Sequence, residues 1–418
     1  MLDINILRLR PMSSALSPQS WCFDLAWIPQ NAYLVGGAVR DALLGRQSEY
    51  LDLDFVLLDA VQIARKMASH YKAGFVLLDA DRQIARVVFK QATVDFAQQQ
   101  GETLEEDLYR RDFTVNAIAY NPYTQEIIDP LLGYNDLQQR VMRMVSIANL
   151  QDDPLRLLRA YRQAAQLGFA IAPETQAAIR IFAPLLSKIA PERVRVELNY
   201  LLNSPSGTPW LKSAWEDGLI NIWFSHTTQS NYETLALVDS AALSLPQLPL
   251  FQTLSDTIKT NWLGIAKLAC LVSGNPELAE IELQQLTYSR AEIRAVTTAL
   301  KLVPQLLATA DALSLKDQYL LFRQAGAVFP ALAVLAVANG TQINTLIPLI
   351  NRYLTPNDPV AHLVLLVNGK DLMQALNIPP SPVVGELLNE IAIAQIEGKI
   401  STPAQAIELA ATLLKAFS

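Results

Sequence analysis

The sequence predicts a small α/β unit with a mixed sheet, followed by a long all-α region. Between residues 31 and about 145, apolar runs of strand length alternate with segments of helical period. From about 146, apolar residues recur at i, i+3 and i+4, and no convincing strand follows before Ser418. At 418 residues the chain exceeds one ordinary core, so about two to four structural units are expected.

Residues 1–30 mix Pro, Ser and apolar residues without a period and read as an N-terminal extension. Tyr33–Val35, Leu51–Leu57, Gly74–Leu78, Ile84–Phe89 and Ala92–Phe96 have strand character. Ala38–Leu44, Ala60–Tyr71 and Thr114–Ala119 read as helices between and after them. Asp153–Leu167, Pro173–Leu186 and Glu192–Leu202 open the helical region, and its later breaks fall at Ser204–Gly207, Ser244–Pro249, Gly274–Pro276, Gly340 and Pro356–Pro359. No charge lies between Arg323 and Arg352, but the apolar run Ala325–Ala338 holds Pro330 and is shorter than the ~20 residues a membrane span needs. It is expected to be a buried helix, with no membrane partner.

Composition narrows the function. Half the residues are apolar, so burial is not limiting, and the net charge of −7 argues against a generally nucleic-acid-binding surface. Any RNA contact must use a local basic patch. Cys22 and Cys270 stand far apart without neighbouring ligands, which excludes a Cys-based zinc site and a disulfide framework and fits a reducing compartment. His70, His226 and His362 are isolated, and none precedes Asp. No basic region followed by an apolar core opens the chain, so a cytoplasmic location is expected.

Four stretches concentrate chemistry. In the first, Gly36-Gly37 follow a strand and leave main-chain N–H groups bare for close approach of a triphosphate, with Arg40 one turn later offering a fork of donors. Asp52 and Asp54, two apart on a strand, share a face and can hold Mg²⁺ ions that lower the pKa of an attacking hydroxyl and neutralise phosphate charge. Asp95, on a later strand, is either a third acid of that site or a surface acid. The third stretch, Leu108–Ala119, places Arg110, Arg111, Asp112 and Asn116 at the entry to an apolar helix; Asp112 and Asn116, four apart, would share its face and hold a ribose and a triphosphate.

The fourth is Asp152–Phe169. Pro154 suits a first helical turn, and Arg156, Arg159 and Arg162 recur every three residues as one basic stripe. From Asp153 to Val196 there are seven Arg/Lys and three acids, the local positive patch that RNA requires. Asp153 and Arg156 can reach one base together. An Arg donor beside an Asp acceptor fits cytosine and adenine, whereas uracil and guanine would set oxygen against carboxylate. An exposed salt-bridged helix face is the commoner fate of such spacing.

Taken in order, these motifs resemble the class II tRNA nucleotidyltransferase and poly(A) polymerase family of the polymerase-β superfamily. The matching segments are Gly36–Asp41 with Asp52-x-Asp54, Arg110–Asn116, Asp152–Arg156 and Glu192–Leu198; Val367–Met373 through Gly385 to Gly398 is similar to the end of bacterial members. The resemblance implies a nucleotidyltransferase head (31–145), a helical neck that selects nucleotides and binds RNA (146–205), a body (206–310) and a tRNA-binding tail (311–418). It implies template-independent transfer of CMP, and of AMP in some members, from CTP or ATP to the tRNA 3′ end, with Mg²⁺ as cofactor and no stable protein partner. It assigns catalysis and metal binding to Asp52 and Asp54, with Asp95 beside them. Triphosphate contacts go to Gly37, Arg40 and Arg111 and the ribose contact to Asp112, with Gly36 and Asn116 as further nucleotide-binding candidates. Asp153 and Arg156 become the protein template, Arg159 and Arg162 further nucleotide contacts, and Arg193 and Arg195 RNA contacts.

The chain departs from the family pattern in two places. The template motif opens Asp152-Asp153 where Glu-Asp is usual, with the reading pair intact. Only seven residues separate Phe96 from Leu104. Complete CCA-adding members resemble one another in carrying a longer flexible loop there, so the short segment favours CC addition over CCA addition. Poly(A) polymerase, whose relatives usually have a long loop and a basic tail, comes third. A non-catalytic RNA-binding descendant should have lost a metal carboxylate, and both are present.

Overall fold

The structure, a computed structural model, describes residues 14–48, 50–255, 258–309 and 313–417. Runs rich in β-branched and aromatic residues form β1 (Tyr33–Val35), β2 (Leu51–Leu57), β3 (Gly74–Asp79), β4 (Ile84–Val88) and β5 (Ala92–Gln98), as their patterns predict. Between them lie α1 (Gly37–Leu43) and α2 (Ala60–Tyr71), followed by α3 (Leu104–Tyr109). Short β6 (Ala119–Tyr120) and β7 (Ile127–Ile128) complete a seven-stranded sheet in the order β3-β4-β5-β2-β1-β6-β7. β2 and β5 pair in parallel and the other neighbours are antiparallel, so the sheet is mixed.

The register places chemistry in rows. Asp52 lies opposite Thr93 and Asp54 opposite Asp95, while Asp95 lies opposite Arg86 on β4. One β2 face therefore carries both carboxylates, and the other buries Leu53, Phe55 and Leu57 completely or nearly so. At its far end the carboxylate face closes into a core formed by Val35 and Val56 with Leu104 and Leu108 of α3.

Two expectations change here. Within the expected extension, residues 14–30 fold onto the sheet: Leu16, Trp21, Phe23 and Ile28 are buried, and Trp21 meets Phe55 edge-on at 5.5 Å and Phe23 at 5.2 Å. Each such side chain contributes on the order of 2–3 kcal/mol by leaving water. Residues 1–13 lie outside the described residues. Thr114–Ala119 is not an α-helix. It is a single 3₁₀ turn, Thr114–Asn116, leading into β6, because pairing with β1 claims Ala119 and Tyr120.

Then come α4 (Gly133–Gln139), β8 (Val141–Met142), α5 (Ile147–Asp152), α6 (Leu155–Leu167), β9 (Ala170–Ile171), α7 (Pro173–Phe182) and α8 (Pro191–Leu202). β9, inside the region read as all helix, pairs in parallel with β8. Asp153 interrupts the helical run in an extended conformation, so α5 and α6 are separate helices; Gly168 ends α6 in the left-handed region.

The chain forms two compact units, one reaching Ala190 and including Ser213–Leu219, the other comprising Pro191–Lys212 and Ile220 onward. Among the described residues the second unit is helical apart from turns and one isolated bridge. Leu315–Ala338 is long and apolar enough to cross a membrane by length and hydropathy alone. It folds as two helices divided by a 3₁₀ turn at Gly326, and Phe329–Ala338 is buried at every position except Val337, as expected for a core helix. A smaller core near the C-terminus gathers Leu372, Leu387, Ile391, Ile400 and Ala406.

Candidate active site

β1 ends at a turn that only glycine makes comfortably. Gly36 has φ 71° and ψ −138°, and a Cβ there would lie 3.3 Å from Asp54 Oδ2 and 3.6 Å from Arg111 Nη1. The bare backbone is thus pressed against a carboxylate and a guanidinium. Arg40, one turn into α1, grips Asp41 through Nε and Nη2, both at 2.9 Å. Its Nη1 donates to Asn116 Oδ1 at 2.8 Å and Gln163 Oε1 at 3.3 Å. Its Nη2 lies 3.5 Å from where a Gly37 Cβ would stand, beside the turn.

Asp52 is exposed and accepts from Thr93 Oγ1 at 2.7 Å. Asp95 is clamped by Arg86, whose Nε and Nη2 each donate at 2.7 Å. The Asp95 clamp raises the Arg86 guanidinium further above its already high range. Burial pushes the Asp54 carboxyl up to about 7; Asp95 and Asp52 push the same way, against Arg111 and Arg86. Asp54 is therefore an acid held among acids. The donor set fits a hard cation: two carboxylates on one strand face, oxygen only. Among the described residues no three His, Cys, Asp or Glu side chains form a ready-made cage. Two carboxylates with substrate phosphates and water is the usual magnesium arrangement. Arg111 offers a further donor at this face. Its Nη2 donates to Asp107 at 3.0 Å, but its buried Nε–H has no partner among the described residues.

A second cluster is saturated. Asp112 accepts from the Phe113 amide (2.8 Å) and Asn116 Nδ2 (2.9 Å) on Oδ1, and from Arg159 Nε (3.1 Å), Arg159 Nη2 (2.9 Å) and Gln163 Nε2 (3.3 Å) on Oδ2. Burial pushes this carboxyl upward, but Arg159 beside it and the donated hydrogen bonds outweigh burial and hold it far below the usual carboxylate range. Asn116 does meet Asp112, through the 3₁₀ turn rather than a shared helix face. Arg156 donates Nη1 to the Asn149 carbonyl at 3.0 Å, and Asn149 Nδ2 binds the carbonyls of Tyr109 and Arg111, both at 2.8 Å. Asp153 accepts from the Leu155 amide at 3.3 Å and starts α6.

A comparison of sequences places this arrangement. The chain is 48% identical over 399 residues to a CC-adding tRNA nucleotidyltransferase of Synechocystis, covering 94% of this chain and 96% of that protein. The chain belongs to the tRNA nucleotidyltransferase family. This family member is an enzyme of the nucleotidyltransferase class. A CC-adding tRNA nucleotidyltransferase of Geobacter sulfurreducens is 33% identical over 392 residues, covering 90% of each. Residues 32–143 match the "Poly A polymerase head domain", 168–230 the "Probable RNA and SrmB- binding site of polymerase A", and 257–411 domain 2 of tRNA nucleotidyltransferases. In fold, a CCA-adding enzyme solved with ATP superposes with a TM-score of 0.71 at 22% identity, covering 93% of this chain and 91% of that one.

Within the family member, the sequence-derived residues separate into groups. Asp52, Asp54 and Asp95 share one sheet face, with Gly36 and Arg111 at Asp54. Gly37, Arg40, Asp112, Asn116 and Arg159 meet around the first turn of α1 and α6. Arg162 donates Nη1 to Gln166 Oε1 at 2.8 Å, one turn further along α6. Arg193 and Arg195 lie on α8 in the second unit, where Arg193 is exposed; Arg195 binds the Thr287 carbonyl and sits 5.8 Å over the Tyr288 ring. Sequence reading missed Arg86, Asp107 and Gln163. The signal for Gln163 was its place seven residues after Arg156, on the same helix face.

Proposed function

We propose that the protein is a CC-adding tRNA nucleotidyltransferase, transferring CMP from CTP to the 3′ end of tRNA and stopping after two additions. The observation that carries this reading is the connection from β5 to α3. Only residues 99–103 join them, and they are tied down: the Gln100 amide donates to Asp107 Oδ1 at 3.1 Å, the Glu102 amide to Glu106 Oε2 at 2.6 Å, and Thr103 Oγ1 caps α3. A short, fastened segment stands where the resemblance to CCA-adding enzymes calls for a long flexible one. Both relatives described above being CC-adding supports the same reading.

In this reading Asp52 and Asp54 hold Mg²⁺, which supplies charge neutralisation at the phosphates and a lowered pKa for the attacking hydroxyl. Asp95, already clamped by Arg86, tunes Asp54 through its charge rather than binding metal. The Gly36–Gly37 backbone, the Arg40 Nη2 edge and the free Arg111 Nε–H receive the triphosphate. Asp112 anchors Arg159 and Asn116 and thereby shapes the ribose pocket. The terminal 3′-hydroxyl of the tRNA attacks the α-phosphate of CTP, a P–O bond forms, and pyrophosphate leaves. The Arg156 donors not bound to Asn149, with Asp153 as acceptor, read the cytosine edge. Arg193 contacts RNA, whereas Arg195 secures the Thr287–Tyr288 loop. Residues 31–145 serve as head, 146–205 as neck, 206–310 as body and 311–418 as tail, in the cytoplasm and without a stable protein partner.

Complete CCA addition is the second reading, favoured by the Asp153/Arg156 pattern, which suits adenine as well as cytosine. Incubating the protein with tRNA ending at the discriminator base, plus CTP, ATP or both, separates the readings by product length. Growth by two nucleotides with CTP, unchanged by ATP, is the expected result. Growth by three with both overturns CC addition, and a long ladder with ATP alone would indicate poly(A) synthesis.

A further inference from the structure

Gln163 is 2% exposed, on the face of α6 that carries Arg156 and Arg159. A buried carboxamide is costly unless its hydrogen bonds are made. Here Oε1 accepts from Asn116 Nδ2 at 2.9 Å and Arg40 Nη1 at 3.3 Å, and Nε2 donates to Asp112 Oδ2 at 3.3 Å. The amide thus joins three side chains from two other segments: Arg40 on α1, and Asp112 with Asn116 at the 3₁₀ turn. Arg159, on the same helix, also reaches Asp112, and Gln163 adds the link to Arg40.

We propose that Gln163 is a positioning residue for nucleotide selection. It fixes the rotation of α6 against the triphosphate and ribose side of the site, and so sets where Arg156 meets the base. The inference rests on the reading above, in which Arg40 faces the triphosphate and Arg156 with Asp153 reads cytosine. The role demands an acceptor for two donors and a donor for one carboxylate on the same group. A leucine fills the volume but leaves Arg40, Asn116 and Asp112 each one partner short. An ionised glutamate accepts but cannot donate, and it stands beside Asp112, with Arg40 already paired to Asp41 and Arg159 and Arg156 already facing Asp112. A protonated glutamate both accepts and donates, as glutamine does.

The test measures steady-state CMP incorporation into tRNA ending at the discriminator base, for the wild type, Gln163→Leu and Gln163→Glu. For Gln163→Leu the KM for CTP is expected to rise ~10-fold, the loss of about one well-placed hydrogen bond, with kcat and the KM for tRNA changing less than ~3-fold. For Gln163→Glu, kcat/KM for CTP relative to wild type is expected near unity at about pH 6 and to fall ~10-fold or more by about pH 8, as the carboxyl ionises against Asp112. A packing role would lower the melting temperature of both variants without this pH-dependent rescue. Unchanged KM for CTP in both variants, or equal losses at both pH values, overturns the proposal. Should Gln163→Leu fail to fold, the Gln163→Glu profile decides alone. Wild-type protein that does not use CTP would fail the functional reading, and this inference with it. Wild-type CTP use with unaltered variants would fail the inference alone.

Discussion

Asp54 and Asp112 are both poorly exposed carboxylates of the first unit, and their surroundings treat them in opposite ways. Asp54 sits on a strand face with Asp52 two residues away and Asp95 directly across, while Arg86 is committed to Asp95. Asp112 sits between a 3₁₀ turn and a helix that aim five N–H donors at it. The first region is short of positive charge and the second is fully supplied. A carboxylate in the second situation is an anchor. One in the first situation holds its proton up to about pH 7, and a cation bound beside it would favour the anion.

The comparison breaks most visibly if the under-supplied region is disabled. Asp52→Ala is expected to lower CMP incorporation roughly a thousandfold or more while leaving the fold intact, because Asp52 is exposed and its hydrogen-bond partner among the described residues is the Thr93 hydroxyl. Undiminished incorporation would remove the metal assignment. Asp112→Ala attacks the other region and should act on stability first. Leaving Arg159 and its neighbours without their acceptor costs about 3 kcal/mol, discounted because Arg159 is 36% exposed, as read by denaturant unfolding. The pH dependence follows from the sign of the shift. The folded Asp112 pKa lies below the ordinary 3.8, so its stabilisation is complete above that value and drains away as pH falls toward the folded one. Asp112→Ala should flatten that acid limb. The smallest effect belongs to Gly36→Ala, which places a Cβ 3.3 Å from Asp54 Oδ2 in a backbone region reserved for glycine. A stability loss of about 1–3 kcal/mol is expected, with a larger proportional loss in kcat/KM for CTP than any substitution on the far face of β2 produces.

Much of the under-supplied region was legible. Alternation along Leu51–Leu57 put Asp52 and Asp54 on one face, and the Gly36-Gly37 turn followed its strand as read. Which of its two readings Asp95 takes was not legible, because the parallel pairing of β2 with β5 that sets it opposite Asp54 is a crossover that no local pattern encodes. Arg86 entered through the same register. In the saturated region the residues were found but their geometry was misread. Arginines three apart drew the eye, but a helix turns every 3.6 residues, and Gln163, seven after Arg156, also reaches Asp112. The apolar spacing of Thr114–Ala119 suited a helix until strand pairing with β1 overrode it. Residues 14–30 lacked any period because they cover the sheet with single aromatic anchors rather than an amphipathic element.

Raised from 3.8 to about 7, the metal-free Asp54 carboxyl makes the folded protein bind the extra proton between those values, so this group lowers stability as pH rises through the window. Mg²⁺ held there, as proposed, would reverse the balance by favouring the anion, and its affinity should weaken as pH falls below about 7. The most direct measurement follows the Asp54 carboxyl by NMR in aspartate-labelled protein, with and without Mg²⁺. The expected result is a titration near 7 without metal that moves down by ~2 units or more when Mg²⁺ is added, while Asp112 stays ionised throughout that range. An Asp54 that titrates like an ordinary aspartate and ignores Mg²⁺ would contradict the claim that this face is built to receive a cation.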